Sequence, residues 1–141
     1  MSGEALLALA ARAEAATGAD RELDVAIGLL GRFYVAEPRW PGAEPMIGYV
    51  DDDGARVEPG NGAQDSLVPR YTASLDAALS LVPEGWGFGV RTTDDRQHTA
   101  RASCWTEGNR GEYCYAAATP ALALCCAALR ARARAASEQA S

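Results

Sequence analysis

The sequence predicts an α/β fold, a layered α/β/α sandwich built on a three-stranded antiparallel meander, and three observations carry that prediction. Residues 86–92, 99–105 and 112–117 alternate bulky with small or polar side chains, the period of two that a strand requires. Short polar stretches around Asp94-Asp95 and Gly108-Asn109 separate these segments, so an antiparallel meander is the simplest connection. Apolar residues occupy both strand faces, with Phe88, Val90, Ala102 and Cys104 on one and Trp105 opposite, so helices are expected to cover the sheet on both sides.

The first element is an Ala-rich helix over residues 2–16, with Leu6, Leu9, Ala10 and Ala13 on one face and Gly18 at its end. Asp20 caps a second helix whose core stripe is Leu23, Ala26, Ile27, Leu30, Phe33 and Tyr34, which takes the N-terminal helices to residue 35. Residues 37–69 then shift to a Pro- and Gly-rich composition, and so long a loop is usually functional or mobile. Inside it, residues 46–50 and 55–57 flank Asp51-Asp52-Asp53-Gly54 as a small hairpin with Asp-Gly at its turn. The three aspartates lack the other ligands of an EF-hand loop and read as a solvated turn.

Residues 69–86 couple a helix start, a helix stop and a strand start. Thr72 or Ser74 serves as N-cap, Asp76 suits the positive end of the helix, and Leu75, Ala78, Leu79 and Val82 make one apolar face. Pro83 and Gly85 stop it. After the meander, Thr119-Pro120 opens a closing helix that runs to about residues 134–136, where Arg130, Arg132 and Arg134 complement its negative end.

At 141 residues, 48% of them hydrophobic, the chain suits one domain of residues 1–141, comprising the helices, the hairpin loop and an α-β-β-β-α core over residues 70–136. No basic leader precedes an apolar stretch, and no window approaches the roughly 18 apolar residues of a membrane span, so the protein is expected to be cytoplasmic, without a membrane partner. A net charge of −6 repels polyanions and disfavours nucleic acid as a partner. All 13 basic residues are Arg, which removes Schiff-base and P-loop lysine chemistry and leaves guanidinium groups suited to carboxylate or phosphate.

Cys104, Cys114, Cys125 and Cys126 follow no zinc-binding or redox spacing and are expected as buried, reduced thiols without a metal. The one histidine, His98, reads as a turn residue in water, and no catalytic constellation or cofactor motif is present. Gly85, Gly87 and Gly89 do not form G-x-G-x-x-G and are expected to let a helix approach the sheet.

The run Pro69-Arg70-Tyr71-Thr72-Ala73-Ser74-Leu75-Asp76 and its continuation to Trp86 resemble a segment of the phage ABA sandwich domain family, as do residues 17–24 and the strand-to-helix junction of residues 115–124. The resemblance is best over residues 53–134. It implies the layered α/β/α sandwich and a phage or prophage setting inside an infected bacterium, and it carries over no catalytic residue.

The functional expectation is a non-enzymatic phage accessory protein that sequesters a small anionic ligand, a nucleotide signal of host defence being the natural candidate in that setting. The alternative is a protein-binding module that docks on a host or virion protein through the long loop or the first helix. The expected ligand site joins Arg70, Tyr71, Thr72 and Ser74 at a helix start, where unpaired N–H groups favour anions, with Trp40 as a lid. Trp105 and Arg101 add a stacking surface and a cation from the sheet, where Arg91 is another candidate. A symmetric homo-oligomer is expected through the Ala- and Leu-rich N-terminal helices.

Overall fold

A computed structural model describes residues 3–31, 33–36, 40–42, 46–57, 68–92, 99–107 and 111–140. The fold is mixed α/β, with four helices and two three-stranded antiparallel sheets among the described residues. By its internal contacts the chain separates into two compact units, Met1–Leu23 with Arg70–Ser141 and Asp24–Pro69. His98 and the Asp94-Asp95 and Gly108-Asn109 connections lie outside the described residues.

The larger unit holds the expected meander, β4 (Gly87–Thr92), β5 (Ala100–Trp105) and β6 (Gly111–Ala117), in the order β4-β5-β6. Each strand begins within one residue of the position that its alternation predicts. Val90, Ala102 and Cys114 share a register line, as do Gly89, Ser103 and Tyr113, so alternate residues address opposite faces. The first line faces inward: Ala100, Ala102, Cys104 and Cys114 are buried.

Helix α4 (Pro120–Ala140) packs on that inner face, across all three strands. Thr119 caps it, its hydroxyl accepting from the Leu122 N–H at 3.2 Å, and Pro120 opens it at a position that needs no N–H donor. Every residue of α4 from Ala121 to Leu129 is buried, followed by Ala131 and Ala133. A helix apolar on all sides belongs inside a core. Helices α1 (Gly3–Ala15) and α3 (Leu75–Leu79) pack on α4, and Leu6, Leu9, Ala10 and Ala13 are the buried face of α1.

The layers therefore run sheet, α4, then α1 and α3. Helical cover, expected on both faces of the sheet, is present on the α4 face; the other carries Trp105 and Tyr113 at 43% and 47% exposure. The α1 face from which self-association was expected is used within the chain, against α4.

The arginine trio has a different role from the expected one. Because α4 continues to Ala140, Arg130, Arg132 and Arg134 lie inside the helix and tie it to its neighbours. Arg130 pairs with Glu14 of α1 at 2.8 Å and donates to the Tyr113 carbonyl of β6 at 2.7 Å. Arg132 donates to the carbonyls of Leu81 and Ser80, satisfying backbone acceptors just after α3. Arg134 pairs with Glu112 of β6 at 2.8 Å. Of the expected apolar face of α3, Ala78 is buried whereas Leu75 and Leu79 are exposed, and Leu81 in the turn that follows is buried with Ala78.

The smaller unit corrects the reading of the second helix. Asp20 caps α2 (Arg21–Leu29) as expected, accepting from the Leu23 N–H at 3.1 Å. The helix stops at a Leu30-Gly31 turn, and Phe33 and Tyr34 open β1 (Phe33–Ala36). Two aromatics followed by a β-branched valine suit a pleated surface better than a helix end. β1 pairs with β2 (Met46–Val50), which pairs with β3 (Arg56–Val57), so the expected hairpin is two-thirds of a small sheet. At its turn Asp51 accepts from the N–H groups of Asp53 and Ala55, and Gly54 takes the left-handed φ of 84°.

The close packing of α4 predicts intolerance to added volume. Ala127→Leu, at a fully buried position, is expected to cost about 1–3 kcal/mol in urea unfolding, whereas Ala11→Leu on the exposed side of α1 leaves the midpoint nearly unchanged.

Candidate functional site

The residues expected to bind a ligand fall into separate groups. Arg70, Tyr71, Thr72 and Ser74 lie together before α3, but the structure engages most of their polar atoms internally. Thr72 is buried, its hydroxyl accepting from the Asp20 N–H at 2.8 Å and donating to the Asp20 carbonyl at 3.2 Å. This pair of hydrogen bonds clamps the start of α2 to the start of α3. Tyr71 is buried, and its carbonyl accepts from the Cys125 thiol. Ser74 is the N-cap, accepting from the Ala77 N–H at 3.3 Å. Only Arg70 is exposed. A five-residue helix with its cap filled is a structural joint. Trp40 sits on an exposed bend of the Asp24–Pro69 unit.

Arg101 and Trp105 lie on the outer face of the sheet, and here the structure assembles a chemically distinct surface. The register sets Arg91 of β4 directly opposite Arg101 of β5, both exposed. Like charges at directly opposed positions repel. Among the described residues neither guanidinium has a hydrogen-bonding or carboxylate partner. Glu112, the one acidic residue within strands β4 to β6, points inward to Arg134. Ser103 and Tyr113 continue the row, and the residues together border an open trough of ≈ 400 Å³.

Gly87 and Gly89 determine where the Trp105 indole lies. A Cβ on Gly87 would meet the indole Cε2 and Nε1 at 2.6 Å, and one on Gly89 would meet Cζ3 at 3.6 Å. The ring thus lies across the two glycines. Their alternation, read in the sequence as room for a helix, is room for an indole. Gly85 does neither; its φ of 83° makes the turn into β4.

A second grouping, on the inner side, has no signature in the sequence. Cys114 of β6, Cys126 of α4 and Glu14 of α1 bring their ligand atoms within 4.8 Å of one another, although Glu14 and Cys126 are 112 residues apart. No local motif signals a contact over that separation. A hydrogen bond from Cys126 holds the Cys114 thiol below the usual range, while that bond and burial push Cys126 up. Cys104, buried without such a neighbour, is pushed up to about 11 by desolvation. All four cysteines are buried.

Comparison with protein-family models, curated proteins and solved structures finds no match. The chemistry of the outer face is therefore read from its own residues.

The glycine bed under Trp105 is directly testable. In a chain whose other tryptophans are replaced by Phe, Gly87→Ala is expected to lift the indole from the sheet and raise its acrylamide quenching, with the fold intact by far-UV circular dichroism. Unchanged quenching contradicts the placement of the ring.

Proposed function

We propose that this protein is a non-enzymatic binder of a small anionic, nucleotide-like ligand, and that the ligand sits on the outer face of the sheet, not at the start of α3. The supporting observation is the opposed pair Arg91 and Arg101, two guanidinium groups facing one trough without a counter-charge among the described residues, in a chain of net charge −6. An anion between them converts repulsion into two charge-assisted contacts, and guanidinium geometry favours bidentate binding of phosphate. The Trp105 indole and the Tyr113 ring offer apolar faces for a base, and the Ser103 hydroxyl offers both a donor and an acceptor. In the phage setting that the resemblance implies, such a protein would act by holding a nucleotide signal of host defence away from its receptor. The buried face of α1 removes the strongest argument for that helix as a protein-docking or dimer surface.

Calorimetry against a panel of cyclic and ADP-ribose-type nucleotides tests the reading. A charge-assisted contact contributes about 1.5–3 kcal/mol, so Arg91→Ala or Arg101→Ala should weaken binding roughly 10- to 100-fold, with Arg70→Ala near wild type. If Arg70→Ala carries the loss, the helix-start site is correct. If no nucleotide binds below about 100 μM, a level that corresponds to roughly −5.5 kcal/mol, the exposed aromatic face is better read as a protein-docking surface.

A further inference from the structure

We propose that Glu14, Cys114 and Cys126 form a binding site for a thiophilic divalent cation of the Zn²⁺ class, independent of the anion-binding reading. Three donors from three separate elements, α1, β6 and α4, converge with their ligand atoms within 4.8 Å of one another. In a tetrahedral site with Zn–S of about 2.3 Å, two sulfurs stand about 3.8 Å apart, so binding asks only a small contraction of this cluster. The donor set selects the ion. Two thiolates and one carboxylate exclude Mg²⁺ and Ca²⁺, which take oxygen shells, and suit Zn²⁺, whose fourth position a water can fill.

The surroundings fit a bound cation. Both thiols are buried, whereas the Glu14 side chain is 40% exposed, which leaves a route from solvent. Cys126 Sγ stands 3.4 Å from Glu14 Oε2, so the carboxylate already reaches the sulfurs. Arg130 donates to this same oxygen at 2.8 Å and holds the carboxylate beside the sulfurs, so the oxygen that would ligate the ion keeps the guanidinium as its hydrogen-bonding partner. Two thiolates, one carboxylate, Zn²⁺ and the Arg130 guanidinium sum to zero charge, an acceptable sum at the edge of a core. Binding displaces two thiol protons to solvent and changes no oxidation state.

The test uses the full chain, stripped by chelator under reducing conditions and titrated with Zn²⁺ alone. Native mass spectrometry is expected to show one ion per chain, and Co²⁺ substituted for Zn²⁺ should give thiolate charge-transfer absorption. Cys114→Ser and Cys126→Ser should abolish both signals and Glu14→Gln should weaken retention, while Cys104→Ser, a buried thiol outside the cluster, keeps them. The Co²⁺ spectrum of the unmutated chain decides the matter even where a serine variant fails to fold. Failure of the unmutated chain to retain Zn²⁺ at micromolar concentration, a Co²⁺ spectrum without thiolate bands, or equal loss in Cys104→Ser overturns the proposal.

Discussion

The burial of α4 between the sheet and α1 with α3 is the constraint on which the larger unit depends. Nine consecutive residues of Ala, Leu and Cys, from Ala121 to Leu129, are buried around the whole circumference of the helix. Small side chains let the backbones approach closely, and four leucine and cysteine positions, Leu122, Leu124, Cys125 and Cys126, fill the gaps at full burial. The arginines downstream complete the arrangement. Each extends from α4 to a different backbone or carboxylate partner, so the helix is fixed to α1, β6 and the end of α3 by directional contacts as well as by packing.

This arrangement also decides where chemistry is available. The inner face of the sheet is committed to α4, Thr72 is committed to joining the start of α2 to that of α3, and Ser74 to capping α3. The outer face of the sheet remains. There the strand register, which places Arg91 against Arg101, produces a local positive centre that the overall negative charge conceals. Gly87 and Gly89 hold the Trp105 indole down on the strands, so the aromatic surface beside the arginines is preorganised by backbone geometry.

Much of the fold was legible in the sequence because strands and caps are local. The alternation in residues 86–117, the Thr119-Pro120 start and the Asp-Gly turn each depend on neighbours a few residues away, and each matches the structure closely. Phe33 and Tyr34 misled because their spacing continues a helical stripe, whereas their pairing with β2 depends on residues 46–50. Tertiary pairing overrode the periodicity. The candidate site divided the same way: Arg101 and Trp105 were visible as strand residues of one parity, but the significance of Arg91 required the register. The Glu14, Cys114 and Cys126 cluster joins three elements distant along the chain, so spacing rules for metal ligands cannot find it.

Backbone amide chemical-shift mapping during titration with a nucleotide locates the ligand on the chain without presuming which residue matters. A ligand on the outer face of the sheet perturbs residues 89–91, 101–105 and 113 and leaves residues 70–74 unaffected. Perturbations centred on residues 70–74, with the outer face of the sheet silent, would contradict that placement.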